Sequence, residues 1–138
     1  MKTVIFILAI FAFQISFAQN NTESIFTTVE VQPEFPGGPA AMYKYLGKSI
    51  VYPKEAQKAN ISGRVFVRFI VRKDGTIDNV EVLKGIGFGC DAEAARVIKA
   101  MPKWTPGYQN GKAVNVYYNM PIVYKLDNGR KTSKRFSN

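Results

Sequence analysis

The sequence predicts an α+β fold, a two-layer sandwich in which a three-stranded antiparallel sheet carries two helices on one face. Three observations support this fold class. Arg64–Arg72 alternates along its length with the two-residue period of a half-buried strand. An Asp-Gly turn follows, and Ile77–Leu83 returns as the partner strand of a hairpin. A helix-spaced apolar stripe then precedes a long last strand, Ala113–Leu126.

The composition fits one globular domain and excludes several classes of function. The chain has 138 residues, of which 46% are hydrophobic, enough for one packed core. It contains no histidine and a single cysteine, Cys90. Histidine-dependent catalysis, histidine-containing zinc sites and an internal disulfide are therefore excluded. We expect no enzyme activity, no catalytic residue, no metal site and no cofactor, and we expect Cys90 to be a buried thiol, with an intermolecular disulfide as the alternative.

Residues 1–18 have the layout of a secretory signal peptide. A basic residue precedes Val4–Phe13, a run of ten apolar residues. Ser16 and Ala18 place small side chains at the −3 and −1 positions of a cleavage site. The apolar run is short for a membrane span, which needs about 20 residues. We therefore expect export of a chain that begins at Gln19, with a retained inner-membrane anchor as the alternative.

Residues 19–50 are expected to form a lead-in with one short helix. The stretch from Gln19 to Thr28 is polar and is expected to be mobile, and Val29–Val31 is a candidate short strand. Prolines and glycines then cluster between positions 33 and 39, which is typical of a loop. The helix is predicted over Ala40–Leu46, because its first turn follows a proline.

The next elements follow in order along the chain. Tyr52-Pro53 precedes a second short helix, Lys54–Ala59. Asp91 is a predicted N-cap for a third helix, because its carboxylate can accept from free backbone N–H groups. Pro121 has no N–H to donate, so it predicts an edge position or a bulge in the last strand. The predicted core consists of Val65, Val67, Phe69, Val80, Val82, Ile98, Met101 and Trp104.

From Val51 to Leu126 the chain resembles the C-terminal domain of TonB, an energy transducer of bacteria with two membranes. The resemblance depends on an ordered set of motifs and not on any single one. They are Tyr52-Pro53-x-x-Ala56, Gly63-x-Val65-x-Val67-x-Phe69-x-Val71, Asp74-Gly75-x-x-Asp78-Asn79-Val80, Ala100-Met101 with Trp104, Pro106-Gly107 and Val114-Asn115-Val116. The upstream Pro33-x-Phe35-Pro36-Gly37-Gly38 is similar to the lead-in of one branch of TonB-like proteins.

The resemblance implies a periplasmic domain that binds the TonB box, a short extended segment of outer-membrane transporters. Binding would use β-augmentation, in which a peptide adds a strand to an exposed sheet edge. Carried over to this sequence, the pairing residues are Val114, Asn115, Val116, Tyr117, Tyr118, Asn119 and Met120, with Tyr52 and Pro53 bordering the site. The same edge would also allow a homodimer through the last strand.

Several alternatives stay open from the sequence. The lead from Gln19 is short and is not rich in proline repeats, which favours binding over energy transduction. A retained anchor would instead allow coupling to an inner-membrane motor complex. An envelope-associated structural or cell-wall-binding module is a further alternative.

Charge adds one more expectation. Lys and Arg number 19 against 10 acids, a formal charge of +9. Part of this excess lies in a basic tail at 127–138, which fits a solvated segment or attraction to anionic polymers. We expect no nucleic-acid partner, because the aromatic residues form no stacking motif.

Overall fold

The computed structural model describes residues 23–126 of the chain. The expected signal peptide and the basic tail at 127–138 lie outside the described residues. Within the described range the elements are β1 (Ile25–Phe26), α1 (Gly38–Ser49), α2 (Lys54–Lys58), β2 (Gly63–Val71), β3 (Ile77–Lys84), α3 (Cys90–Lys99), β4 (Gly107–Gln109) and β5 (Lys112–Tyr124).

The strands form one sheet in the order β1-β5-β2-β3, with β4 paired to the first residues of β5. β2 lies antiparallel to both β3 and β5, so the predicted three-stranded antiparallel sheet is present. The α+β class is therefore confirmed. The strand count was too low, because β1 and β4 are too short to show a two-residue period in the sequence.

All three helices pack on the same face of the sheet. Their buried residues join one core with the inward-facing residues of β2, where the prediction had placed two helices. The predicted core residues of β2 and Ile98, Met101 and Trp104 are buried as expected. Val80 and Val82 are only half-buried, because β3 is the last strand in the sheet order. Ile70, which alternation places on the opposite face, is also fully buried and was not predicted.

The turn between β2 and β3 has the predicted Asp-Gly conformation. Gly75 adopts a φ of 86°, and its N–H donates to the carbonyl of Arg72 over 2.8 Å. The Asp74 carboxylate accepts from the N–H and the hydroxyl of Thr76 at 3.0 and 2.6 Å. The carbonyl of Gly75 in turn accepts from the N–H of Trp104 at 2.8 Å, which fixes the turn to the segment that follows α3.

Two local predictions were wrong. The N-cap of α3 is Gly89, with a φ of 82°, and Asp91 lies inside the first turn. The Asp91 carboxylate accepts instead from the N–H groups of Ile86 and Gly87, at 2.8 and 3.2 Å, and so closes the preceding loop. The short strand expected at Val29–Val31 is also absent from the described residues, and Val31 makes an isolated bridge to Tyr108.

Candidate functional site: the outer edge of the last strand

The last strand, β5, is the candidate site because it carries seven of the nine predicted contact residues. One of its edges pairs with β2 from Val116 to Tyr124. The opposite edge, here called the outer edge, pairs with β1 at Asn115 and Val116. Within residues 23–126 no strand pairs with the outer edge over residues 117–124. We call this stretch the free edge.

The first three predicted contact residues are already paired within the chain. Val114 lies opposite Gly107 of β4, across a hairpin whose turn residues Asn110 and Gly111 have φ values of 51° and 74°. These φ angles are those of a type I′ turn, which an Asn-Gly pair favours. Asn115 and Val116 lie opposite β1. On the outer edge, β1 therefore occupies Asn115 and Val116, where a peptide strand would otherwise pair.

Pro121 determines which backbone groups the free edge offers. It lies opposite Phe66 in an uninterrupted ladder with β2. Because proline has no N–H to contribute to that ladder, its nitrogen faces away from β2. Backbone direction alternates along a strand, so Tyr117, Asn119 and Val123 also direct their N–H and C=O groups to the free edge. The free edge thus offers the N–H groups of Asn119 and Val123, interrupted at Pro121, because the parallel register with β1 places the Phe26 carbonyl against the N–H of Tyr117.

The side chains of Tyr118 and Met120 point into the core. Met120 is buried, and the Tyr118 ring lies 4.9 Å from the Trp104 ring and 5.4 Å from the Phe69 ring, measured between centroids. Burial raises the pKa of the Tyr118 phenol, because the phenolate would be poorly solvated. The side chains of Tyr118 and Met120 therefore pack on the core side of β5.

Tyr117 and Asn119 belong to the face of the sheet opposite the helices. The guanidinium of Arg68 lies 4.9 Å from the centroid of the Tyr117 ring, and it pairs with the Glu81 carboxylate at 2.9 Å. Asn119 lies opposite Arg68 in the ladder, and its side chain is exposed. These two residues are the predicted contact residues whose backbone groups the free edge presents.

Asn115 is a buried polar residue where β1 pairs with β5, and its side chain is hydrogen-bonded on both sides. Its side chain is 3% exposed, and its Oδ1 accepts from the backbone N–H of Lys73 at 2.9 Å. Its Nδ2 donates to the carboxylate of Glu23 at 3.1 Å. The ammonium of Lys73 binds the same carboxylate at 2.6 Å. The hydrogen bond from Lys73, followed by that from Asn115, lowers the pKa of the Glu23 carboxyl.

The other two predicted contact residues lie at the opposite end of β5. The ring of Tyr52 packs edge-on against the ring of Tyr124, with centroids 5.3 Å apart, and its hydroxyl donates to the carbonyl of Ile61. Pro53 is the N-cap of α2. The structure therefore separates Tyr52 and Pro53 from Asn115 by most of the length of the strand.

Cys90 is fully buried beside this end of the strand. The Tyr124 hydroxyl donates to the Cys90 carbonyl at 2.8 Å. Burial, with a smaller contribution from the charge of Asp91, raises the pKa of the Cys90 thiol to about 11. Burial likewise raises the pKa of the Tyr124 phenol. The expected buried, unpaired thiol is present, since Cys90 is a free cysteine.

We expect the Cys90 thiol of the folded protein to resist labelling by Ellman's reagent. Raising the pKa from 9.0 to about 11 lowers the thiolate fraction at pH 8 by about 100-fold, and burial blocks access as well. Labelling should be complete only after denaturation in guanidinium chloride, and the slow rate in the folded state should rise with pH. Equal rates for folded and denatured protein would contradict this assignment.

Neither a candidate metal site nor a candidate membrane-spanning helix occurs in the described residues. Between residues 23 and 126 no group of three or more His, Cys, Asp or Glu side chains is placed to hold a metal ion. In the same part of the chain, no helix has both the length and the apolar character that crossing a bilayer requires.

Sequence reasoning missed the residues that fill the start of the outer edge. Glu23 and β1 lie in the stretch expected to be mobile, where two paired residues give no periodic signal. Lys73 directly precedes the Asp-Gly turn, and nothing else in its local sequence marks it. Nothing in the local sequence connects Glu23 with a lysine 50 positions away and an asparagine 92 positions away.

The family described as Gram-negative bacterial TonB protein C-terminal matches residues 48–126, more than half of the chain. A Protein TonB from Campylobacter coli is 28% identical over 82 residues, which cover 59% of this chain and 34% of that protein. A Protein TonB from Pseudomonas aeruginosa is 34% identical over 82 residues, covering 58% of this chain and 23% of that protein.

The match covers only part of each curated relative, since this chain spans about a third or less of their length. Among solved structures, the solution NMR structure of the Pseudomonas aeruginosa TonB C-terminal domain is 30% identical. The match covers 59% of this chain and 82% of that one, with a TM-score of 0.48.

Proposed function

This chain belongs to the family of TonB C-terminal domains, and from that premise we propose that it acts in the periplasm as the docking module of a TonB transport system. Its ligand is an extended segment, the TonB box, of an outer-membrane transporter. The segment adds to the sheet as a new strand on the outer edge of β5. Affinity then comes from backbone hydrogen bonds, and the side chains beside the edge select the peptide.

The observation that carries this proposal is the free edge itself. An unpaired strand edge presents N–H and C=O groups that an extended chain satisfies. Asn119 and Val123 direct these groups outward, whereas the interruption at Pro121 limits indiscriminate pairing with other strands. Tyr117 and Arg68 lie next to the free edge, on the face of the sheet opposite the helices, and are positioned to contact alternate side chains of the peptide.

Titration with a synthetic TonB-box peptide tests the proposal. The backbone amide resonances of Asn119 and Val123 should shift first, because their N–H groups face the peptide. Resonances of Tyr118 and Met120, whose backbone groups face β2, should shift less. No amide perturbation along the free edge at millimolar peptide would overturn the proposed function.

Substitutions at Asn119 and Pro121 should change the affinity in opposite directions. Asn119→Pro removes one outward donor and should weaken peptide binding about fivefold or more, since one net hydrogen bond is worth roughly 1 kcal/mol. The strand already accepts proline in the same orientation at position 121, so the fold should tolerate the change. Pro121→Ala supplies the missing donor and should tighten binding about fivefold. Isothermal titration calorimetry gives both dissociation constants.

Asn119→Ala is the matched control, because it removes the exposed side chain and keeps the backbone N–H. It should bind peptide as the unsubstituted protein does. Equal losses for Asn119→Ala and Asn119→Pro would assign the effect to the side chain and contradict backbone pairing. Sedimentation at the same protein concentrations separates peptide binding from self-pairing, the second use that a free edge permits.

A further inference from the structure

The outer edge of β5 is partly covered by the chain itself. β1 lies parallel to β5 on this edge, with Ile25 opposite Asn115 and Phe26 opposite Val116. The covered positions adjoin Tyr117, the first residue of the free edge. A peptide strand that pairs with Tyr117 and continues toward the start of β5 therefore runs directly into β1.

The attachment of β1 is slight. It has two residues, both half-buried, and it pairs with β5 alone. Its N-terminal side is fixed by Glu23, whose carboxylate binds the ammonium of Lys73 and Nδ2 of Asn115. The side chains of that ion pair are 44% and 59% exposed, so water and salt screen it. So short an element can open locally while the rest of the sheet stays folded.

Asn115 connects release of β1 with capture of a peptide. Its Oδ1 bond to the backbone N–H of Lys73 does not involve β1, so the side chain keeps its orientation when β1 leaves. Its Nδ2 and its outward backbone groups then lose their partners. Unpaired polar groups at a buried residue are unfavourable, and the incoming strand removes this penalty by supplying oxygen and N–H groups of its own. Release without a peptide is therefore disfavoured, whereas exchange of one strand for another is not.

We propose that β1 is a displaceable strand that competes with the transporter peptide for Asn115 and Val116, and so regulates access to the docking edge. This inference rests on the proposed function, since it assumes that a peptide binds to β5. β1 lowers the apparent affinity by the fraction of molecules in which it occupies the edge. If β1 has left the edge in about one molecule in ten, weakening the attachment of β1 raises the affinity for the peptide by up to about tenfold.

One variant weakens the attachment of β1 to β5, and another crosslinks β1 to β5. Glu23→Ala removes the contacts of the Glu23 carboxylate with Lys73 and Asn115. Because Glu23 is exposed, the fold should stay intact. It should bind a fluorescein-labelled TonB-box peptide about three- to tenfold more tightly than the unsubstituted protein. The double variant Ile25→Cys with Asn115→Cys joins two residues that lie opposite each other in the register. Oxidation should lock β1 on the edge and weaken binding at least about tenfold relative to the reduced form of the same protein.

The reduced double variant is the internal control, because it carries both substitutions without the crosslink. Cys90 is buried and does not interfere with the engineered pair. Circular dichroism melting shows that each form is folded. Amide exchange adds an independent readout, since the N–H group of Phe26, which the register directs to the Asn115 carbonyl, should lose protection when peptide binds to the unsubstituted protein.

The outcomes separate the two proposals. Tighter binding by Glu23→Ala together with weaker binding by the oxidised form supports displacement. If the unsubstituted protein binds the peptide with the same affinity as Glu23→Ala and the oxidised form, displacement is overturned and the docking function stands. If no form binds, Glu23→Ala included, the docking function fails and displacement fails with it.

Discussion

Replacing Trp104 by alanine is expected to lower the free energy of unfolding by about 4 kcal/mol, as for other large aromatic residues deleted from a core. Trp104 is 3% exposed and lies at the centre of an aromatic cluster. Its ring centroid is 4.9 Å from that of Tyr118, 5.5 Å from that of Phe69 and 5.9 Å from that of Phe35. The change leaves a cavity between β5, β2 and the loop before α1. Urea denaturation followed by far-UV circular dichroism measures the loss.

Trp104→Phe is the control for this prediction. The indole N–H of Trp104 is buried and has no hydrogen-bond partner within residues 23–126. Phenylalanine therefore keeps most of the apolar contact and gives up no hydrogen bond, so its cost should be below about 1.5 kcal/mol. A Trp104→Phe loss as large as that of Trp104→Ala would contradict the expectation that a phenyl ring keeps most of the apolar contact.

The same cluster bears on function through Tyr118. Because the Tyr118 ring packs on Trp104, loss of Trp104 should also loosen the neighbouring residues Tyr117 and Asn119. A mobile edge binds an extended peptide less well, since ordering the strand then costs conformational entropy on binding. The Trp104→Ala protein should therefore bind peptide more weakly under conditions where it is still folded.

The second large effect is expected for Gly75→Ala, which should cost about 3 kcal/mol of stability. Gly75 has a φ of 86°, which strains any residue with a Cβ. A Cβ built at this position would lie 2.1 Å from the carbonyl oxygen of Trp104. That oxygen belongs to the backbone, so relief requires the two chain segments to separate. Moving these segments apart breaks the hydrogen bond that the Trp104 N–H donates to the Gly75 carbonyl.

Gly87→Ala is the matched control. Gly87 has a similar φ of 72°, but a Cβ there would meet nothing within 4 Å. Gly87→Ala should lower the free energy of unfolding by about 1 kcal/mol, because only the backbone conformation is unfavourable for alanine there. The difference between the two variants, measured by chemical denaturation, gives the cost of the collision with Trp104. Equal costs would mean that the hairpin turn and the Trp104 segment move apart freely.

Local sequence signals gave good predictions where a physical cause acts within a few residues. The alternation over β2 predicted its inward face correctly, because successive side chains of a strand point to opposite faces. The Asp-Gly turn was predicted correctly because few residues adopt a positive φ without strain. Pro121 was correctly associated with an edge, since it lacks a backbone N–H. The family resemblance was also confirmed, because the family model matches residues 48–126, which contain the whole ordered set of motifs.

The candidate site was harder to predict. Alternation along β5 distinguishes two faces, but it does not show which edge another strand covers. The expectation for Val114, Asn115 and Val116 did not include the hairpin strand β4 or the parallel strand β1. Nor did the sequence show that Asp91 closes a loop instead of capping its helix, because its partners depend on how the loop folds back.

By itself, the sequence determined the α+β class, the order of the main elements and the family, and the family resemblance led us to propose β5 as the docking strand. Each follows from periodicity, turn chemistry or motif order, which act over short distances along the chain. The tertiary structure alone decided which part of that strand is open. Glu23 meets Lys73 and Asn115 only because the fold brings together three segments that are 42 to 92 positions apart in the sequence. The closure of the outer edge by β1 is therefore a property of long-range packing.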